Sequence, residues 1–450
     1  MTPVIRELEG RRDLLPLVAA QPKRYPGLLE SVARGTPRAR YDIAFAFPEV
    51  ALRLDVAGDV RDARGRHVGT RFLHELDRVW QAERLLHDAT SELPFRGGWL
   101  LYLGYELAAE IEPRLHLPVP RGTVPPIALA LRCPAAIVVD HDRDCTLLVA
   151  EAGHAGLLDV VEADLGAGST SLGADVIASV IDEEPASSFL EGVARIHEHL
   201  LRGDVFQVNL SREWRARCPA RPAAAALYAA LRRANPAPFA GLLQVDDWAI
   251  ASSSPERLIE IRGDLAQTRP IAGTRPRGED DAAKLQELID HPKERAEHVM
   301  LIDLERNDLG RICQPGSVVV DELMALESYA HVHHIVSNVS GRLRAGTTPG
   351  QVIAAMFPGG TITGCPKVRC MQIIADLEHS GRGAYTGSFG YLNRDGDLDL
   401  NILIRTLTLH GDAVRLHAGA GIVADSDAKC ELEETRAKAR GMLRALGAAG

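Results

Sequence analysis

The first 150 residues alternate short apolar runs with polar or proline-rich turns. "YDIAFAFPEVALRLD", "GGWLLYLGYELAAEI" and "AAIVVDHDRDCTLLVAE" read as strands, and "PRGTVPP" reads as a turn. Residues 151–185, rich in Ala, Gly, Ser and acids, keep no period and read as a linker with a short helix, the clearest boundary in the chain. From 187 the pattern changes: "SSFLEGVARIHEHLLRGDVFQVNLSREWRARC" predicts a helix ending at Gly203 that feeds a strand, and amphipathic helices follow over 283–312 and 427–447. Strands fill much of the rest, in "LLQVDDWAIASSS", "AYTGSFGYLN", "DLNILIRTLTLHG" and "AVRLHAGAGIVAD", joined by hairpin-type turns such as "NRDGD" and "LHGDA". Consecutive strands with short turns pair antiparallel, so the pattern predicts an α+β fold with regions 1–150 and 187–447 and no internal repeat.

Composition narrows the function classes. The chain of 450 residues is long enough for about three ordinary domains. A net charge of −10 argues against nucleic-acid and anionic-membrane partners, both of which need a dense positive field. No 18-residue apolar run occurs, and "MTPVIRELEGRRDLLPLV" lacks the charged-then-apolar order of a signal peptide, so a cytoplasmic location is expected. Seven cysteines without a C-x-x-C pair read as free thiols in a reducing compartment, with Cys365 alone near candidate chemistry.

That cysteine lies in "MFPGGTITGCPKVRC", a glycine-rich loop with Lys367 and Arg369 that suggests anion binding. It is not a Walker A loop, because Cys365 and Pro366 separate the last glycine from the lysine. Gly359, Gly360 and Gly364 instead offer backbone amides ahead of a helix in "VRCMQIIADLE", with a plain tight turn as the bland alternative. "AGAGIVAD" matches the dinucleotide fingerprint G-x-G-x-x-A, but one helix follows it and no second strand, so Gly419 and Gly421 are better read as donors to another anion.

In the terminal helix, which Asp425, Ser426 or Asp427 can cap, Glu431, Glu434 and Lys438 share one face. A solvated salt-bridge stripe has the same pattern. Glu294 and Glu297 on another helix supply a second acidic pair, and two such helices could hold one hard divalent cation such as Mg²⁺. Gln207 falls inside an apolar strand, where it needs a partner. Glu256, after a serine turn, is half-buried by pattern, so its pKa is expected to rise and to suit a proton donor, although a capping role fits equally. Among His331, His333 and His334, alternation lets only some face a pocket, and a zinc site from this run is not expected.

Taken together, "RPIAGTRPRG", "RAEHVMLIDLERNDLGR", "HVHHIVSNVSG", "FPGGTITGCPKVR", "DLNILIRTL" and "AGAGIVADS" resemble the chorismate-utilising enzymes, which include anthranilate synthase large subunit, aminodeoxychorismate synthase component I, isochorismate synthase and salicylate synthase. The resemblance covers about 187–447; "RYPGLLES" and "FRGGWLLYLGYE" more loosely resemble the N-terminal part of the two aminating enzymes, and Leu28 to Ser31 resembles the place where anthranilate synthases hold inhibitory tryptophan. It implies one large unit of two stacked antiparallel sheets with helices outside, and a Mg²⁺-dependent chorismate site. It implies that Glu297 and Glu434 bind the metal, with Glu431 close by through water. Arg405, Tyr385, Gly419, Gly421 and Lys438 would surround the substrate carboxylates, with Thr361 in the pocket wall. His334 would sit beside the ring, and Glu256 would protonate the departing 4-hydroxyl.

The resemblance also bears on the nucleophile. Water-adding members carry a lysine base where this chain has Gln207; a carboxamide cannot deprotonate water, whereas ammonia already has a lone pair, so amination is expected. Ammonia would come from a partner glutamine amidotransferase subunit, because none of the seven cysteines lies in the G-x-C-x-G elbow of that domain. Aminodeoxychorismate synthases typically carry Lys in P-I-K-G-T, where this chain has Ala272 ahead of Thr274, as anthranilate synthases do. Against that, the modest length, His333 in "VHHIVS", "FPGGTITG" and "DLNILIRTL" resemble the aminodeoxychorismate type of para-aminobenzoate synthesis, which is the expected activity, with anthranilate synthesis the alternative.

Overall fold

The computed structural model describes residues 2–33, 40–119, 125–167, 171–173, 175–276, 292–328 and 332–448; within these, the side chains of 272, 274–276, 292–294, 328, 332 and 333 are outside the description. Two 12-stranded sheets form its centre, and every strand pairing among the described residues is antiparallel. Both sheets draw on both ends of the chain. In the first, the N-terminal strands join the C-terminal ones where Gly27–Glu30 pairs with Phe239–Val245. In the second, the junction is Gly98–Leu103 against Ser388–Asn393.

The strand residues alternate between two cores. Phe45, Phe95, Leu100, Tyr102, Ile250 and Phe389 lie between the sheets. Trp214, Tyr228, Leu242 and Met442 bury the outer face of the first sheet under helices that include Ala224–Ala234 and Ala428–Ala445. Trp99, Leu258, Ile302 and Met356 do the same on the second sheet under Phe72–Glu83, Pro292–Gly310 and Pro349–Met356. The α+β layout of stacked antiparallel sheets with outer helices is therefore the one expected from the sequence.

Several local expectations need adjustment. "YELAAEI" is not strand but a helical turn, Tyr105–Leu107 running into Ala108–Ile111, because the buried chain turns at Gly104. The boundary segment contains helix Leu157–Gly166 and edge strand Val180–Glu183. The helix expected over 283–312 is observed as Pro292–Gly310, and its first part, together with His331, lies outside the described residues. The terminal helix is Ala428–Ala445, and Asp427 is its cap, accepting from the amides of Lys429 and Cys430.

Close sheet contact depends on Gly241, where an added Cβ would stand 2.7 Å from the Phe389 ring of the facing sheet and 2.8 Å from the Leu28 carbonyl oxygen. The neighbouring backbone cannot yield cheaply. Gly241→Ala is expected to destabilise the fold by about 1–3 kcal/mol, visible as a lower urea midpoint with an unchanged slope; an unchanged midpoint would contradict the packing described.

Candidate active site

The site forms where strand Gln207–Arg217 pairs with strand Ala413–Ile422, placing Asn209 opposite Gly421 and Ser211 opposite Gly419. A side chain at Gly419 would meet backbone, the Leu210 carbonyl oxygen at 2.8 Å, and one at Gly421 would displace Gln207. A Cβ at Gly421 would stand 2.1 Å from Gln207 Nε2, and one at Gly419 would stand 2.7 Å from the Tyr385 hydroxyl and 2.8 Å from Asn209 Oδ1. The glycines thus leave a bare strip of backbone under polar side chains. Gln207 Nε2 donates to Glu297 Oε1 at 3.3 Å, while the Gln207 and Asn209 amide oxygens are buried without a hydrogen-bond partner among the described residues. Buried acceptors of this kind call for a bound donor.

Tyr385 is held from two sides. Its ring stacks on His417 at 5.3 Å, and the Arg382 guanidinium lies 5.5 Å from its centroid. Arg382 is itself fully enclosed: it donates to the Asn209 carbonyl at 2.8 Å, to the Ile362 carbonyl at 3.0 Å and to both oxygens of Glu378 at 2.7 and 2.8 Å. Burial raises the Tyr385 hydroxyl to about 12, so it remains a neutral donor. Arg405 follows in the left-handed region at φ 54°, an unfavourable conformation for a non-glycine residue that the Ser253 amide, bonded to its carbonyl at 3.1 Å, helps hold. Burial lowers the pKa of its guanidinium, and the nearby Glu434 and Glu256 oppose that shift.

Glu256 is the acid of the group. It is 6% exposed, accepts from Thr361 Oγ1 at 2.8 Å and sits within the fields of Arg405 and Lys438. Burial outweighs those stabilising contacts and raises its pKa to about 7. On the terminal helix, Lys438 donates to the Gly419 carbonyl at 3.0 Å and pairs with the half-exposed Glu434, while Glu431 is buried and accepts from Ser426 Oγ at 2.7 Å.

His334 lies on the second sheet. Its Nδ1 is 3.3 Å from the Gly273 carbonyl, and the strand register puts Thr274 opposite His334 and Ala272 opposite Ile335. The helix carrying Glu297 packs on both strands, tied by His298 Nε2 to Ser337 Oγ at 2.7 Å. The side chains of Ala272, Thr274, Glu294 and His333 lie outside the described residues.

The glycine-rich loop corrects one expectation. Lys367 is not open to a bound anion, because its Nζ is already paired with the buried Asp308. The amide of Gly364 is taken by the Gly360 carbonyl at 3.0 Å, and a Cβ at Gly364 would lie 2.1 Å from the Gln207 carbonyl oxygen. The loop's glycines serve close packing, and its contribution to the site is Thr361. Arg382, Asn209 and His417 were not among the sequence candidates. Asn209 was legible by period two from Gln207, while nothing in "SGRGAY" marks Arg382 as buried.

Carboxylate oxygens suit a hard cation such as Mg²⁺. Glu297 and Glu434 each lie one side chain from the Gly419–Gly421 strip, through Gln207 and Lys438 respectively. Their carboxylates are the ligand type such an ion takes. Among the described residues, however, the group of three with ligand atoms mutually within 4.8 Å is His87, Asp395 and Asp397. Arg96 donates to both of those aspartates at 2.6 and 2.5 Å and already supplies their positive charge.

These features bring buried acids, cations and bare backbone together in one place, and comparison specifies the family. Residues 37–444 match the family described as chorismate binding enzyme, and the chain belongs to it. Among relatives, it is 40% identical to aminodeoxychorismate synthase component 1 of Bacillus subtilis, over 95% of this chain and 93% of that protein. It is likewise 40% identical to an anthranilate synthase component I-like protein of Synechocystis, over 83% of this chain and 78% of the relative. Anthranilate synthase component I from Streptococcus pneumoniae superposes with a TM-score of 0.81 at 31% identity, covering 91% of this chain and 93% of that structure. No described helix is long and apolar enough to cross a membrane.

Removing the Arg382 charge would leave Glu378 buried and unpaired. Arg382→Met is expected to cost about 3–5 kcal/mol in chemical unfolding; a loss under about 1 kcal/mol would mean that solvent or another group replaces the guanidinium.

Proposed function

We propose that the protein aminates chorismate to 4-amino-4-deoxychorismate, with ammonia delivered by a separate glutamine amidotransferase subunit. The observation that carries this reading is Glu256: a buried carboxyl with a pKa near 7, bonded to Thr361 and facing two cations, is protonated often enough at neutral pH to donate to a leaving hydroxyl. The polar surroundings suit a dianionic ring acid. Arg405, Lys438 and the neutral Tyr385 hydroxyl would bind its carboxylates over the bare Gly419–Gly421 strip.

In the reaction, the carbon–oxygen bond at ring carbon 4 breaks as Glu256 gives its proton, and water leaves. Ammonia forms the carbon–nitrogen bond and loses one proton, which restores Glu256, so the exchange balances. Gln207 supports ammonia over water as nucleophile, since its carboxamide orients a donor but cannot take a proton from it. Glu297 and Glu434 would hold Mg²⁺, with Glu431 nearby through water; bound there, the ion would neutralise substrate carboxylate charge. His334 would border the ring.

The motifs around His333 and Thr361, with "DLNILIRTL", support the aminodeoxychorismate product. Ala272 favours a second reading, anthranilate synthesis, because alanine offers no amine for covalent attack on ring carbon 2. The names of the relatives include both activities.

Incubation with chorismate, Mg²⁺ and ammonium, followed by product mass and fluorescence, tests the proposal. Aminodeoxychorismate is expected; anthranilate would select the second reading, and unconsumed chorismate would refute both. Because Glu256 acts in its protonated form, turnover at a fixed, saturating concentration of free ammonia is expected to start falling as pH rises through about 7, and Glu256→Gln to lower kcat by at least about 100-fold without loss of fold. A profile rising steadily past pH 9 would contradict its role as acid.

A further inference from the structure

The face of strand Gln207–Arg217 that carries Gln207 and Asn209 continues to Ser211 and Glu213, and there it borders a second cavity of about 340 Å³. The cavity lies at a break in the sheet. Strand Gln207–Arg217 is edged by Gly364–Cys365 at its start and by Val180–Glu183 at its end. Between them, carboxylates stand where a neighbouring strand would: Glu378 accepts from the Ser211 amide at 2.9 Å and Glu184 from the Glu213 amide at 3.0 Å. Phe189, Leu210 and Leu377 supply an apolar wall.

What the polar wall offers is acceptors. Glu213, 6% exposed, gives one carboxylate oxygen to Arg215 at 2.9 Å, while its Oε1 is buried without a hydrogen bond among the described residues and lies 3.8 Å from Arg415 Nε. Directly opposite Glu213 in the strand register stands His417, which lines the cavity, is 9% exposed and has no hydrogen bond to any described residue. Burial lowers its pKa, so the imidazole is neutral and keeps one nitrogen as an acceptor. Opposed residues on one sheet face bring their side chains together, yet these two are not bonded to each other. A donor between them would satisfy both. The nearby guanidiniums are committed, Arg382 to Glu378, and Arg212 and Arg436 to Glu183, while Asp182 and Glu184 on the same wall have no ion pair among the described residues.

We infer that this cavity is a binding site for a small organic ammonium ion, a primary amine with an apolar body, whose N–H groups bridge Glu213 and His417. Among the described residues, the ligand atoms of this wall do not form a group mutually within 4.8 Å. An organic amine spans wider acceptors with directional N–H bonds and also covers Phe189, Leu210 and Leu377. His417 stacks on Tyr385 with ring centroids 5.3 Å apart, so an occupant bonded to His417 lies one ring away from the tyrosine beside Gly419.

Two probes of nearly the same shape test this on the full chain without turnover: 4-bromobenzylamine, cationic at neutral pH, and the neutral 4-bromobenzyl alcohol. Isothermal titration should give one site for the amine, with the alcohol at least about tenfold weaker. Anomalous diffraction from crystals soaked with the amine should place the bromine beside Phe189 and Leu377. His417→Phe, which keeps a ring against Tyr385 and removes the acceptor, and Glu213→Gln should each weaken the amine at least about fivefold and leave the alcohol unchanged. Equal binding of amine and alcohol overturns the inference, since the cavity would then be only an apolar slot. A bromine peak confined to the Gly419–Gly421 strip, or amine binding that neither variant weakens, overturns it as well. If a variant does not fold, the wild-type titration and the bromine position decide on their own.

Discussion

A single buried guanidinium organises the site. Arg382 joins the Asn209 strand, the glycine-rich loop at Ile362 and the end of helix Lys367–Leu377 through Glu378, and its face supports the Tyr385 and Tyr105 rings. Glu378 passes the restraint on, accepting from both the amide and the hydroxyl of Ser211 at 2.9 Å. The strand bearing Gln207 and Asn209, the loop bearing Thr361 and the tyrosine beside Gly419 are thus fixed relative to one another by one cation and one carboxylate. In a dry interior such a pair is costly to break, because either partner alone is an uncompensated charge.

Around this anchor, carboxyls of the same type acquire different properties from their surroundings. Glu256 and Glu305 are buried and keep their protons into the neutral range. Glu434 is half-exposed and paired with Lys438, and Glu431 is bonded to Ser426. Carboxyls in one region thus differ in burial and in their partners.

Much of this was legible in the sequence. Period-two runs and hairpin turns specified antiparallel sheets, and the three- and four-residue spacing placed Glu431, Glu434 and Lys438 together on one helix. Gln207 and Glu256 were marked by polarity in apolar or turn contexts, and Thr361 by the family resemblance. Long-range packing was not legible. That Lys367 would be consumed by Asp308, or that Arg382 would be sealed between two rings, depends on residues 59 and more than 160 positions away. "YELAAEI" misled because a fully buried helical turn has the same apolar density as a buried strand.

The proposed chemistry requires Glu297 and Glu434, acids from two helices, to serve one cation beside the Gly419–Gly421 strip. The most direct measurement is anomalous diffraction from crystals soaked with Mn²⁺ and chorismate. A single metal peak between the carboxylates of Glu297 and Glu434 is expected. A peak confined to His87, Asp395 and Asp397, with Glu434 still bound to Lys438 and no metal beside Glu297, would contradict it.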